Sequence, residues 1–398
     1  MWIKRDFEET FHQTQTLPAV LIKGMRQCGK SSFLKRILSP HTQIAYLDHL
    51  ELRQLAEENP ALFFKQFPPP ILIDEVQYAP NLFPQIKLII DEAREARLAD
   101  GGKKIPIQFL MTGSEQTEIR QKINESLGGR ISEYILHPLS VHELKHHDAR
   151  FDIRTVFLKG GWPELHIDHD LHPQDFLNQL IDSFIGKDIA RKQGVEKIQS
   201  FMKALRLLAA RSGQLLNVSE IAAQVSVKSP ALHDWINLLE ENYVLTQLPS
   251  FVGNLSKRVV KSKKIFINDL GLTTRLQGWL ELEPLFLSPM MGHCFETLVY
   301  TEILRTKDHF NKRWNIFYWR TKHGEEIDFI VEDERGKRMA IEAKVTGTDV
   351  NPAEYLKHVD ADHPIYVVTL AGVPTKKSSR CIEVPITELA EMLLSVLG

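Results

Sequence analysis

Two rhythms of apolar residues alternate along the first part of the chain. Short apolar runs appear at Ala19–Ile22, within residues 42–48, at Ile71–Ile73 and, interrupted only by Gln108, at Ile107–Met111. Runs of that length without a polar face predict strands covered on both sides, as in a parallel sheet. Between them apolar residues return every three or four positions, as at Phe33, Leu34, Ile37 and Leu38, through Glu51–Phe67, and in the segment Phe83–Arg97. That spacing predicts amphipathic helices. Strand and helix in alternation predict an α/β layer structure over residues 1–150.

Beyond that point the pattern changes. Phe176–Arg191 and Ile198–Ala210 predict helices. A short helix follows, capped by Ser219 and carrying Ile221, Ala222 and Val225. A turn at Ser226–Ser229 leads to a second helix with Leu232, Trp235, Ile236, Leu238 and Leu239, and Tyr243–Phe251 alternate like a strand. Helix, turn, helix and strand predict a winged helix-turn-helix within residues 151–285. From residue 286 the order is a helix at Met291–Arg305, three strands at Asn315–Arg320, Glu326–Glu332 and Arg338–Val345, a helix near Pro352–Val359, and a strand at Ile365–Thr369. Polar turns at Lys322-His323-Gly324 and Glu334-Arg335-Gly336 separate the three strands. This is the core order of the PD-(D/E)xK nuclease fold. The fold class is therefore a multidomain α/β chain: a parallel-sheet α/β domain at 1–150, a helical and winged-helix domain at 151–285, and a nuclease-like α/β domain at 286–398.

Composition narrows the classes. The 398 residues are 43% hydrophobic and 25% charged, with a net charge of −2. An ordinary globular composition with that balance has no global field to draw it to nucleic acid or membrane, so any such binding needs a local patch. One exists: Lys187–Lys264 holds 13 Lys and Arg against 6 Asp and Glu, with Lys257, Arg258, Lys261, Lys263 and Lys264 just after the strand. Cys28, Cys294 and Cys381 lie far apart without paired spacing, which argues against a disulfide framework or a zinc site and suits a reducing cytoplasm. The N-terminal MWIKRDFEETFHQ is charged and has no apolar core, so it is not a signal peptide. No apolar run approaches the roughly 18 residues of a membrane span.

The chemistry is densest after the first strand. Gly24-Met25-Arg26-Gln27-Cys28-Gly29-Lys30-Ser31 fits G-x-x-x-x-G-K-[ST] at every fixed position, with Ser32 following. Strand, glycine loop and helix is the context this motif needs to bind phosphates. Gly24 and Gly29 let backbone N–H groups converge on the ligand, and the helix start adds unpaired N–H groups and its positive dipole end. Lys30 would reach the β- and γ-phosphates of ATP, and the Ser31 hydroxyl would join a Mg²⁺ shell. Ile71-Leu72-Ile73-Asp74-Glu75, after Pro68-Pro69-Pro70, is the Walker B pattern. Asp74 would hold the Mg²⁺ water shell, and Glu75 would polarise the attacking water as general base. Thr112 and Ser114 leave the strand at Ile107–Met111, positioned either to sense the γ-phosphate or to cap a following helix. Arg130 follows Gly128-Gly129 and is either an arginine finger for a neighbouring subunit or a surface, salt-bridged residue.

These segments are similar to a known family. GMRQCGKSS, LIDEVQYAPNLFPQIKLIID, LMTGSE and LGGRI resemble the ATPase module of a large prokaryotic family that pairs an AAA+-like P-loop ATPase with a C-terminal domain of the DUF4143 class. Met25 stands where proline is common in that family, and Cys28 where an aliphatic residue is common. Gly160-Gly161-Trp162-Pro163-Glu164 and the Asp269-x-Gly271 stretch also resemble it, as do YWRTKHGEEIDFIVE and IEAKVT. The ATPase class implies assembly into a homo-oligomer, a hexameric ring among the options.

In the last domain Asp328 lies on the second predicted strand, with Glu342-Ala343-Lys344 on the third. Glu342 and Lys344 are two apart and so share one face of that strand. Asp328 and, from the helix, Glu296 are placed to meet them. Such a set either binds a divalent metal for phosphodiester cleavage or is tied up in salt bridges within a docking module. The winged helix has the same two sides: Lys228, Ser229 and His233 face a DNA groove, or the module only packs. The whole reads as a cytoplasmic enzyme that binds and hydrolyses ATP with Mg²⁺. Its leading use is as a motor or remodeller gripping DNA by its phosphates; the alternatives are a nucleotide-driven switch docking a protein, or an ATP-gated nuclease.

Overall fold

A computed structural model describes residues 2–14, 17–38, 42–99, 106–113, 122–123, 125–189, 195–251, 262–321, 325–346, 364–378 and 381–398. The chain divides into two compact units, one of Asp6–His137 and one of Met1–Arg5 with Pro138–Gly398.

The first unit holds a five-stranded sheet: β1 (Ala19–Lys23), β2 (Gln43–Tyr46), β3 (Ile71–Asp74), β4 (Phe109–Gly113) and β5 (Ile131–Ile135). The order is β2-β3-β4-β1-β5, and every pairing is parallel. The apolar runs are explained by cover on both faces. One face packs Phe63, Phe83, Ile86 and Ile90 against Ile71, Ile73, Phe109 and Met111. Elsewhere in the unit Phe7, Phe11, Phe33 and Tyr134 form an aromatic cluster, with Phe7 5.2 Å from Phe33 and 5.1 Å from Tyr134 between ring centroids. Because β4 lies between β1 and β3, the loops leaving β1 and β3 open at the same carboxyl edge of the sheet, on either side of the end of β4. Crevices of that kind are where open α/β sheets bind ligands. The expected helix at Glu51–Phe67 is two helices, Leu50–Glu58 and Pro60–Gln66. Pro60 has no N–H to continue the first, and Asn59 caps the second by accepting from the Leu62 N–H at 3.0 Å.

The second unit contains a helical region and two sheets. The helix expected from Phe176 starts at Pro173 and runs on from Leu180 as a π-helix, Ile181–Ile189. The helix Val218–Gln224 is capped by Asn217, whose Oδ1 accepts from the Glu220 N–H at 3.2 Å, rather than by Ser219. The helix Ser229–Glu241 buries Leu232, Trp235, Ile236 and Leu239. β6 (Gln214–Leu215), β7 (Leu245–Leu248) and β8 (Lys264–Ile267) make an antiparallel sheet in the order β6-β8-β7. Lys257, Arg258 and Lys261 lie outside the described residues.

The larger sheet contains β9 (Asn315–Arg320), β10 (Glu326–Glu332), β11 (Arg338–Lys344), β12 (Ile365–Thr369), β13 (Thr375–Ser378) and β14 (Cys381–Pro385). Its order is β13-β14-β12-β11-β10-β9. β9, β10 and β11 form the expected meander, and β12 and β14 add in parallel. The helices Met291–His309 and Leu389–Leu397 supply Leu298, Val299, Ile303, Leu389 and Leu393 to a core with Phe329, Val331 and Ile341 of the sheet. Ile327, Ile330 and Ala340 lie on the other face, where they meet Phe251 and Phe317; Ile327 and Ile330 are three apart yet share it because the β9–β10 register shifts between them. The predicted helix near Pro352–Val359 lies outside the described residues.

Asp269 explains two of the glycine motifs. Its buried carboxylate accepts from the Gly161 N–H (2.8 Å), Trp162 Nε1 (3.1 Å), the Leu272 N–H (2.9 Å) and Arg305 Nη2 (2.9 Å). A Cβ on Gly160, whose φ is 62°, would lie 2.0 Å from Asp269 Oδ1, and one on Gly271 would lie 2.4 Å from the Gly160 nitrogen. Only glycine lets these segments approach so closely.

Candidate functional site

In the first unit β1 leads directly into Gly24, whose φ of 147° and crowding by the Leu136 carbonyl, 2.1 Å from a hypothetical Cβ, both demand glycine. The loop then turns through left-handed Gln27 (φ 62°) and Gly29 (φ 99°). The helix Lys30–Ile37 begins at once. Met25 and Cys28, the two family departures, are buried beneath the loop, and the Cys28 thiol donates to the Leu136 carbonyl at 3.1 Å. Arg26 and Gln27 are exposed, as is Ser32 at the helix start. The Lys30 ammonium donates to the carbonyls of Gly24 (3.0 Å) and Met25 (2.7 Å).

β3 delivers Asp74 beside this loop. Asp74 Oδ1 accepts from Ser31 Oγ at 2.6 Å and from Thr112 Oγ1 at 2.7 Å. Thr112 is itself fully buried on β4 and accepts from the Glu75 N–H at 2.9 Å. Strand order therefore brings three motifs distant in sequence to one carboxylate. Glu75 has a left-handed backbone (φ 58°), and its carboxylate accepts from Gln77 Nε2. Gln77 was not singled out from the sequence, although a buried amide two positions past a Walker B glutamate is a readable signal. Ser114 lies outside the described residues. Arg130 is not brought to this group: it forms a bidentate pair with Asp91, Nε to Oδ1 at 2.7 Å and Nη2 to Oδ2 at 2.9 Å, and Nη1 donates to the Gly128 carbonyl at 3.1 Å. That hydrogen bond holds the Asp91 carboxyl below its ordinary range.

In the second unit Glu296, Asp328, Glu342 and Lys344 line one cleft. They are joined by two residues that the motif does not contain, Glu326 of β10 and Lys264 of β8. The Lys264 side chain is buried, and its ammonium donates to Glu296 Oε1 at 2.6 Å, pairs with Glu326 and lies 4.0 Å from Asp328 Oδ1. Lys344 Nζ pairs with Glu342 Oε2 at 2.8 Å and lies 3.9 Å from Asp328 Oδ2. The Ala343 N–H donates to that same Asp328 oxygen at 2.9 Å, and Arg320 pairs with Glu326 at 3.3 Å. Burial, with Asp328 close by, pushes Glu296 up to about 8 and Glu342 up to about 7. Burial alone would lower the Lys264 ammonium, but Glu296, Asp328 and Glu326 outweigh it and hold it raised. The shifts of Lys264 and Glu296 oppose one another across a 2.6 Å contact. Lys264 faces three carboxylates and keeps its charge, while Glu296 is crowded by two others and is the carboxylate nearest to protonation at neutral pH.

Known proteins show related chains. Residues 16–145 match the model of an AAA domain, 150–283 that of a domain of unknown function, DUF8612, and 291–388 that of another, DUF4143. The uncharacterized proteins Rv2008c of Mycobacterium tuberculosis and Mb2031c of Mycobacterium bovis are each 27% identical over 335 residues, covering 83% of this chain and 71% of theirs. An uncharacterized protein of Haemophilus influenzae is 24% identical over 315 residues, covering 72% of this chain and 74% of its own. The structure of the Aeropyrum pernix ORC2 protein, in ADPNP-ADP complexes, overlays with a TM-score of 0.31 at 14% identity, over 68% of this chain and 89% of that one. The chain thus joins an AAA domain, a nucleotide-binding ATPase module, to a C-terminal DUF4143 domain. Among the described residues no helix is long and apolar enough to cross a membrane.

Proposed function

We propose that the AAA unit binds ATP with Mg²⁺ and hydrolyses it. The observation that carries this is the convergence of Ser31 and Thr112 on Asp74 Oδ1 beside the Lys30 loop. The donor set fits the ligand. Ser31 offers a hydroxyl and Asp74 a hard oxygen, the partners Mg²⁺ takes while keeping most of its water. The loop glycines leave the backbone open to phosphate, and Lys30 needs only to exchange neutral carbonyls for phosphate oxygens. Bound Mg²⁺ would offset charge on the β- and γ-phosphates. Lys30 then neutralises the phosphate oxygens, and Thr112 fixes Asp74 and the backbone of Glu75 together. Glu75, once turned away from Gln77, takes the proton of the attacking water.

For the use of that energy, the leading reading is a DNA-directed motor or remodeller assembled as a homo-oligomer, gripping phosphates through the basic segment that ends at Lys263; Lys264, counted with that patch in the sequence, is buried among carboxylates and takes no part in it. The second helix supports a different partner. The groove along Ser229–Glu241 is lined by Lys197 and Lys228 but also by Glu196, Asp234 and Glu241, and such mixed charge favours a protein surface over a polyanion. This is the nucleotide-switch reading. The carboxylate cluster does not fit a catalytic divalent ion with Lys264 seated among Glu296, Glu326 and Asp328.

The test is the ATPase rate at low salt with no DNA and with single-stranded, duplex or branched DNA, with Lys30→Ala as the blank. A rate at least about 100-fold above the blank supports hydrolysis at this loop. Stimulation by one DNA form that fades as salt rises supports the motor. A rate indifferent to every DNA overturns the motor and leaves the switch.

A further inference from the structure

The helix Val141–His147 carries His142-Glu143-Leu144-Lys145-His146, the H-E-x-x-H spacing. Two histidines four apart share one helix face, and their rings lie 4.2 Å apart between centroids. The C-terminal helix Leu389–Leu397 brings a third donor. Glu391 Oε1 is 3.9 Å from His142 Nε2 and 3.8 Å from His146 Nε2. Those separations are close to what three ligands each about 2.0–2.2 Å from one ion require.

The surroundings set the histidine chemistry. His146 Nδ1 lies 2.9 Å from the His142 carbonyl, so it carries the proton and leaves the Nε2 lone pair facing Glu391. Glu388 hydrogen-bonds Glu391 and holds its carboxyl above the ordinary range, and Lys145 pairs with Glu388. Two of the three ligands, His146 and Glu391, thus have an oriented neighbour behind them. The cysteine spacing that argued against zinc says nothing of histidine ligands.

The intervening Glu143, which serves as the base where this spacing builds a hydrolytic zinc site, is committed elsewhere. It is buried, its Oε1 accepts from Arg5 Nε at 2.9 Å, its Oε2 accepts from the Ser140 N–H at 2.8 Å, and its own N–H donates to Ser140 Oγ. It closes a capping box on the helix and points away from solvent chemistry.

We infer that His142, His146 and Glu391 form a Zn²⁺-binding site that clasps the helix Val141–His147 to the C-terminal helix Leu389–Leu397. Two imidazoles and a carboxylate select Zn²⁺ over Mg²⁺ or Ca²⁺, and the fourth position is left for water. The site binds and staples; it does not hydrolyse, because Glu143 is locked.

The experiment is calorimetric titration of tag-free, nucleotide-free protein with ZnCl₂, paired with thermal melts with and without Zn²⁺. The wild type is expected to bind one Zn²⁺ that His146→Ala weakens at least about tenfold, with Glu391→Gln in the same range and Glu143→Gln retaining it. Zn²⁺ should raise the Tm of the wild type and not that of His146→Ala. His146 is 56% exposed at its side chain, so its removal leaves the fold intact, and the Zn²⁺-free melt checks this. Titration with Co²⁺ adds the visible bands of tetrahedral coordination, lost in the same variants. No Zn²⁺ binding by the wild type, or binding unchanged in His146→Ala, overturns the site. A Zn²⁺-dependent peptidase activity lost in Glu143→Gln overturns the stapling role.

Discussion

The loop of the AAA unit and the cleft of the DUF4143 domain are built from the same materials: acidic residues at strand positions, a nearby lysine and a helix alongside. They differ in what faces the carboxylates. Asp74 is held by two hydroxyls, those of Ser31 and Thr112, and the lysine of its motif rests on neutral carbonyls. A divalent ion that enters there displaces weak neutral partners. Glu296, Glu326 and Asp328 are instead held by Lys264, a full charge anchored in another sheet. An ion entering there must first expel a buried ammonium. A motif that names only acids and one lysine does not distinguish these two situations, because the deciding neighbour lies elsewhere in the chain.

The largest effect expected is at that neighbour. Lys264→Met removes the cation and leaves three carboxylates facing one another in a buried cleft. Breaking a buried pair from one side costs about 3–5 kcal/mol, so urea melts should show a loss of that order. Lys264→Met with Glu296→Gln should recover a large part, since one fewer negative charge remains unpaired. If Lys264→Met melts like the wild type, the ammonium is not holding the cluster, and the contrast with the P-loop fails. Mn²⁺ at millimolar concentration should stabilise Lys264→Met more than the wild type, because only in the variant is no ammonium seated among Glu296, Glu326 and Asp328.

A smaller effect sharpens the other half. Thr112→Val keeps the shape of the side chain but removes both a donor to Asp74 Oδ1 and an acceptor for the Glu75 N–H. Leaving buried polar groups unsatisfied costs about 1–3 kcal/mol. The ATPase rate should fall about tenfold or more while nucleotide affinity changes less, since Lys30 and the loop backbone are untouched. An equal fall in affinity would mean that Thr112 shapes the loop rather than the catalytic edge.

The contrast also marks how much was legible in the sequence. The P-loop was readable because its chemistry is local: Gly24, Gly29, Lys30 and Ser31 lie within eight consecutive residues, and their spacing states the geometry. The strands of the AAA unit were readable because burial on both faces leaves them uniformly apolar. Of the two hydroxyls leaving the fourth strand the sequence favoured Ser114, which lies outside the described residues; that Thr112 reaches Asp74 follows from strand order, with β4 between β1 and β3, which no local pattern states. Lys264 was counted only as part of a basic patch. Nothing in its neighbours states that β8 points it into a cleft formed by β10 and the helix at Met291–His309. The His142-Glu143-Leu144-Lys145-His146 spacing was present in the sequence, but Glu391, which gives it a third ligand, follows far along the chain. The break at Asn59-Pro60 was local and readable, and the single helix expected there ignored what proline forbids.

The smallest effect tests the one charged residue that the two readings of the AAA unit divide over. Arg130 and Asp91 are partly exposed, with side chains 23% and 32% accessible, and surface pairs contribute little even when well aligned. The bidentate geometry predicts that Arg130→Ala and Asp91→Ala each lower stability only slightly and that the double variant loses little more than either alone. A double-mutant cycle in urea measures this. The same proteins report on an arginine finger. If Arg130 acts only through Asp91, the ATPase rates of both single variants track each other and stay within a few-fold of the wild type. A finger reaching a neighbouring subunit would break that symmetry: Arg130→Ala would lose about 10³-fold in rate, while Asp91→Ala, with the guanidinium released, would hold or gain. The ratio of the two rates, taken at increasing protein concentration, therefore decides whether this arginine serves its own subunit's helix or the nucleotide of the next.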